Sequence, residues 1–366
     1  MTSLYAAPVP PDWPGNNYWF HWLFFTVVII GFVLTLVMGA IYIERRGMGR
    51  MQSRLGPNRT GPFGLLQPVA DATKVLLKEN IVPAAADKLV HWLAPIVAFA
   101  PVLLIFTVLP FQNGAMLADL NIGILFIVAV SSVSTVGVFM AGWSSSNKYS
   151  LLGAMRTIAA VVSYEMPLAL AVVSSIIMAG TMSMNGIVVA QNIPYILLQP
   201  LGFFIFFIAG SAEINRSPFD LMEADSELVA GFHTEYSGMK FAMFYLVEYA
   251  EAIAISAIIT TLFLGGWRGP FLPPWLWFIG KTVAVFFFMV WVRTIMPRVR
   301  IDQLMGLAWK FLFPLAIINL FITAIQVLIW PDGLPWPLIF VNFAILGVLI
   351  FTWSRFFKTG MGRAQI

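Results

Sequence analysis

The chemistry-bearing residues of this sequence are acidic side chains set in apolar surroundings. Glu165 stands in SYEMP with an apolar run after it, and Glu248 and Glu251 stand well inside the apolar stretch 240 to 264. An ionised carboxylate in hydrocarbon is costly, so each of these takes a polar partner or local water, or holds a proton. Such groups serve as carriers of protons or other ions. Glu248 and Glu251 are three residues apart, share a helix face and are expected to titrate as a coupled pair. Pro167 lacks a backbone donor, which loosens the helix beyond Glu165 and could admit water. The competing reading is structural, with each acid joining two helices through a polar contact.

A second acidic group lies in AEINRSPFDLMEADSELVAGFHTEYSG, where Glu213, Asp220, Glu223, Asp225, Glu227 and Glu235 face a lone Arg216 before Lys240. A solvated acidic loop is one reading. The interleaved Phe219, Leu221, Met222, Leu228, Val229 and Phe232 favour a partly buried amphipathic segment, in which clustered carboxylates repel and raise each other's pKa. That would be a proton entrance or a charge sensor. Residues 44 to 90 have the opposite character, mixing Arg45, Arg46, Arg50, Arg54, Arg59, Lys74, Lys78 and Lys88 with Gly, Pro and apolar residues. The segment is too long for a connector and is expected to fold against the membrane through amphipathic segments, with phospholipid contact as one use of its arginines.

Other chemistries find little footing. His21, His91 and His233 lack metal-ligand spacing, and no Walker A, GxGxxG or nucleophile-elbow motif is present. The chain has no cysteine, which excludes disulfides, thiolate zinc sites and protein-held iron-sulfur clusters. The net charge of +4 reflects loop charge rather than a nucleic-acid surface.

The elements that position these acids are apolar runs. The chain of 366 residues is 60% hydrophobic and 10% charged, far from the soluble average of about 25% charged. Runs near 20 to 43, 91 to 111, 122 to 142, 156 to 180, 196 to 212, 240 to 264, 275 to 295, 310 to 330 and 337 to 356 approach the roughly 20 residues a spanning helix needs. They lack the alternation of barrel strands, so the expected fold is all-α: a single membrane domain over 1 to 366 with about nine transmembrane helices. Every Lys and Arg except Arg268 and Lys281 falls on one side of that arrangement, which puts the amino terminus outside and the carboxyl terminus in the cytoplasm. No basic residue precedes Arg45, so the first run lacks the flank of a cleaved signal and is expected to stay attached. Trp13, Trp19, Trp22, Trp330 and Trp336 fall where an outer aromatic belt would lie.

Several long motifs then occur in one order: GPNRTGPFGLLQPVADATKVLLKE at 56 to 79, NKYSLLGAMR at 147 to 156, SYEMP at 163 to 167, AEINRSPFDLMEADSELVAGFHTEYSGMKFA at 212 to 242 and PRVRIDQLMGLAWKFLFP at 297 to 314. In these the chain resembles, over nearly its whole length, the H-type membrane subunits of bacterial NADH:quinone oxidoreductase, respiratory complex I. The resemblance implies a subunit of the bacterial inner membrane, at the junction with the hydrophilic arm, that walls the lipid-facing part of a quinone chamber. Two hydrophilic quinone-site subunits would complete the chamber, small membrane subunits would flank the chain, and iron-sulfur clusters and flavin would reside in partner subunits. By the same resemblance Glu44, Arg45, Arg46 and Arg59 would flank the quinone path. Glu165, Glu213, Glu223, Asp225, Glu227 and Glu248 would form the acidic route coupling quinone reduction to proton translocation, with Glu235 and Glu251 as further proton-coupling candidates. The chain departs from the family pattern with Asp225 in place of Glu, His233 in place of Asn, and SSVST around Ser132 where some members carry Glu; Glu251 is expected to supply that acidity. The alternatives are a membrane subunit of an energy-converting hydrogenase, a stand-alone cation:proton antiporter and a passive scaffold.

Overall fold

The computed structural model describes residues 18–114, 116–220, 230–330 and 335–361. Backbone donors and acceptors in hydrocarbon must be satisfied within the segment, and the described residues meet this with helices and no strand. The helices are α1 (Tyr18–Met51), α2 (Gln67–Leu77), α3 (Lys88–Val108), α4 (Gly123–Ser144), α5 (Lys148–Ala179), α6 (Met184–Ala190), α7 (Tyr195–Leu198), α8 (Pro200–Glu213), α9 (Gly238–Phe263), α10 (Pro274–Ile295), α11 (Ile301–Ile329) and α12 (Leu338–Met361). Short 3₁₀ turns lie at Pro62–Gly64 and Gly231–His233. Trp13 of the expected aromatic belt lies outside the described residues.

Seven of these, α1, α3, α4, α5, α9, α10 and α11, are long and apolar enough to cross a membrane. They coincide with seven of the nine expected runs. The other two are the shorter apolar helices Pro200–Glu213 and Leu338–Thr352. The fifth run is broken because Pro200 cannot continue the helix of Tyr195–Leu198, so α8 starts afresh with its proline in the first turn. The first run is longer than its hydrophobicity predicts. No helix breaker follows Ile43 at once, and α1 continues to Met51, so Glu44, Arg45 and Arg46 sit within the helix rather than beyond it.

Capping side chains set several boundaries. Asp87 accepts from the backbone of Leu89 and Val90 to start α3, Asn147 accepts from Tyr149 to start α5, and Gly180 closes α5 in a left-handed conformation. Helix α9 is the axis: 67% of its apolar window is buried against 22% for α4, and it touches α1, α3, α8 and α10. Helix α5 packs on α4, α8 and α11, and α3 runs along α4. Within α11, Leu307–Leu312 form a π turn beside α5, where Trp309 donates to Ser163 at 3.1 Å and Tyr164 donates to the Leu304 carbonyl at 2.9 Å. These bonds hold the segment that carries Glu165.

The α3–α4 contact depends on a missing side chain. A Cβ on Gly137 would stand 2.6 Å from the backbone nitrogen of Ala98. Gly137→Ala is therefore expected to lower the thermal midpoint of the purified protein in detergent, at a cost of about 1–3 kcal/mol from overpacking. Gly280→Ala, which meets nothing within 4 Å inside α10, is expected not to lower the midpoint in the same measurement, because alanine is the better helix former.

Candidate functional site

Removing a carboxylate from water demands a cation, and the fold supplies two to Glu44. Its side chain is 1% exposed; Oε2 accepts from Arg216 Nη1 at 2.5 Å and Oε1 from Arg293 Nη1 at 2.5 Å. Arg216, just past the end of α8 and 4% exposed, also reaches Glu248 on α9, with Nε to Oε1 at 3.2 Å. Its guanidinium lies over the ring of Tyr249 at 4.3 Å and faces that of Phe286 at 5.8 Å. Four elements are thus tied by two carboxylates and two guanidinium groups: α1, the segment after α8, α9 and α10. Burial works against the charge on Arg216, but Glu44 and Glu248 outweigh it and raise its pKa, so the arginine stays a cation.

Farther into the bundle is a second group. Glu213 and Glu251 line a narrow cavity with Ser131 and the apolar side chains of Ile127, Leu168 and Phe206. Ser131 on α4 hydrogen-bonds Glu213, Ser134 hydrogen-bonds Glu251, and the charges of Glu165 and Glu213 interact. The Oε1 atom of Glu165 is buried with no hydrogen-bond partner among the described residues. Glu248 and Glu251 interact as their spacing requires, yet they serve different neighbours: Glu248 turns to Arg216, and Glu251 to Glu213 and Ser134. Helix α9 therefore carries an acid in each group.

The other expected site residues are distributed around this core. Arg45 pairs with Asp71 of α2, which also accepts from Gln67 at 3.1 Å. Arg46 bonds the Tyr42 hydroxyl and the Phe63 carbonyl, the latter at 2.8 Å, which folds the loop after α1 back onto that helix. Arg59 is exposed on that loop. Glu235 does not join the buried acids; it accepts from Asn147 at 2.6 Å. Beside it His91 stacks on Tyr236 at 4.0 Å, and Tyr236, its phenol pushed up to about 12 by burial, donates to the His91 carbonyl. Glu223, Asp225 and Glu227 lie outside the described residues. On the amino-terminal side of that stretch, Asp220 accepts from Arg298 at 3.1 Å and Pro218 from the Val299 backbone at 3.1 Å.

Sequence reasoning missed Arg216, Arg293, Tyr249, Ser131 and Ser134 as site residues. A charge balance would have found the first two, because a buried acid implies a cation and Arg216 is the one basic residue of its loop before Lys240. The two cations that broke the charge asymmetry are also accounted for. Lys281 donates to the carbonyls of Leu264, Gly266 and Arg268, and Arg268 to those of Gln191 and Val189, so both cap backbone at one end of the bundle.

An apolar groove runs between α1, α3, α9 and α10, lined by Phe32, Leu36, Phe106, Leu109, Ile253 and Phe278 among others. Ile43, next to Glu44, and Phe286, beneath Arg216, also line it, so the groove abuts the ion network.

The architecture defines a polytopic helical membrane protein with ionised side chains held inside the helix bundle. The model of the NADH dehydrogenase family matches residues 24–324. A protein of Dehalococcoides mccartyi (strain CBDB1), named as the H-subunit of NADH-quinone oxidoreductase, is 60% identical over 351 residues, 96% of this chain and 99% of that relative. The protein of the same name from Brevibacillus brevis is 48% identical over 323 residues, 87% of this chain and 95% of its own. That of Bacillus thuringiensis is 47% identical over 322 residues, covering 86% and 96%. The chain belongs to the NADH dehydrogenase family, as a membrane subunit of an oxidoreductase complex.

His233 allows a test of the site's electrostatics. Burial pushes its imidazole down to about 4, with Asp220 opposing, so it is neutral in the folded protein at pH 7. Its folded value lies below the unfolded one, so the stability it confers is complete above about pH 6.5 and is lost as pH falls towards 4. His233→Asn is expected to flatten the loss of thermal stability between those pH values, by up to about 3 kcal/mol at the acid end; denaturation midpoints across that range check it.

Proposed function

We propose that this chain is the quinone-chamber and proton-coupling membrane subunit of an NADH:quinone oxidoreductase. It would sit in a bacterial inner membrane as nine spans, amino terminus outside and carboxyl terminus in the cytoplasm. The observation that carries the reading is the Glu44–Arg216–Glu248 network between an apolar groove and the cavity of Glu213 and Glu251. The names of the relatives support quinone as substrate. The groove suits an isoprenoid tail, and the head would lie towards the loop of Arg45, Arg46 and Arg59 and the hydrophilic subunits that hold the redox groups. Orientation is supported by the charge asymmetry of the sequence, and its two exceptions, Arg268 and Lys281, are both engaged by backbone carbonyls.

The mechanism follows from charge. Reduction of a quinone consumes protons and alters the local field, and carboxylates held by nearby ions answer by changing occupancy. A proton from the cytoplasmic side would pass among Glu248, Glu251, Glu213 and Glu165, with Ser131 and Ser134 as hydroxyl bridges. Glu223, Asp225 and Glu227 would present acid to the partner subunits at the loop. The hydrogenase reading shares the acids and lacks quinone; the antiporter reading requires transport by the chain alone.

Membrane vesicles decide between them. Glu248→Gln and Glu251→Gln are each expected to reduce NADH-driven proton uptake by at least about tenfold, while NADH oxidation by a hydrophilic acceptor is unchanged. Full pumping in both variants, or ion exchange by the purified chain in liposomes, would overturn the proposal.

A further inference from the structure

Arg216 has more to do than neutralise one acid. Its Nη1 is committed to Glu44 and its Nε to Glu248, while Nη2 is buried with no hydrogen-bond partner among the described residues. The guanidinium lies on Tyr249, a flat surface that resists tilting but not sliding in the plane. Glu44 keeps a second cation, Arg293, whatever Arg216 does. Arg216 therefore bridges an acid on α1 that is doubly held and an acid on α9 that it reaches over a longer contact.

From this geometry we infer that Arg216 is the positioning residue that transmits charge from Glu44, at the groove, to Glu248, at the head of the acidic route. The inference rests on the proton-coupling reading above. A loss of negative charge at Glu44 weakens its hold on Arg216, and the guanidinium moves in its plane towards Glu248. More positive charge at Glu248 favours its carboxylate over its protonated form, so a proton arriving there is passed on towards Glu251. The arginine keeps its charge throughout. Among the described residues, Arg293 from α10 and Tyr249 from α9 also face the pair.

The test uses the whole complex in native membranes. Infrared difference spectra on quinone reduction give a carboxyl band for Glu248, identified by its loss in Glu248→Gln. Glu44→Gln is expected to shift that band. In an Arg216→Lys background, where a point charge replaces the planar fork, Glu44→Gln is expected to cause no further shift. A Glu248 band indifferent to Glu44, or a shift that persists unchanged in the Arg216→Lys background, would overturn the assignment. Where Glu44→Gln prevents assembly, as judged by NADH oxidation with a hydrophilic acceptor, Glu44→Asp withdraws the carboxylate from Arg216 and gives the same comparison. If the bands couple as stated while Glu248→Gln pumps normally, the proton-coupling reading fails and the role of Arg216 stands.

Discussion

Burying a charge where water cannot follow is the constraint on which the rest of this structure depends. Glu44 is fully removed from solvent, and α1, the segment after α8, α9 and α10 converge where its oxygens can be answered by Arg216 and Arg293. A buried ion pair contributes little net stability, because desolvation consumes most of the attraction, but removal of one partner is strongly destabilising, on the order of 3–5 kcal/mol. Apolar residues of the same volume would hold these helices as well. The network is therefore better explained by the charge it keeps in place than by the stability it adds.

The surrounding elements share this logic. The π turn at Leu307–Leu312 and its bond from Trp309 to Ser163 fix the backbone that presents Glu165. Pro167 follows in a helix that continues to Ala179, held by its neighbours where its own ladder lacks a donor. Helix α4, little of which is buried, contributes hydroxyls instead of charges at Ser131 and Ser134, which suits a helix with little cover. Both flanks of the acidic loop are anchored, one by Asp220 to Arg298 and the other by Glu235 to Asn147 and Tyr236 to His91.

Much of this was legible in the sequence, for physical reasons. Hydrophobic runs of spanning length located seven helices directly, and desolvation alone singled out Glu165, Glu248 and Glu251. What could not be read was pairing across sequence distance. Glu44 meets Arg293 across 249 positions, and nothing local to either residue announces the other. Helix ends depart from the hydrophobic runs where hydrophobicity and helicity part company: α1 runs past its apolar stretch, and α8 is cut short by Pro200 within an unbroken apolar run. The spacing of Glu248 and Glu251 fixed their shared face and said nothing of their separate partners.

Distance decides how coupling can work in such a bundle. At an effective dielectric of about 20, a unit charge gained or lost about 4 Å away changes a carboxylate's energy by about 4 kcal/mol, roughly three pK units, whereas at about 12 Å the effect is near 1.4 kcal/mol, about one unit. A single long-range field from the groove would thus move proton occupancy weakly. Successive contacts of ion-pair length move it strongly, and each must include a group that changes charge or a cation that changes partner. Glu44 and Glu248 lie on different helices, and the step between them falls to the arginine that touches both. Beyond Glu248 the next acid is less than one helical turn away on the same helix, and Glu213 interacts with it across the cavity. On the proposed reading, Arg216 is the contact through which a change of charge at Glu44 reaches Glu248.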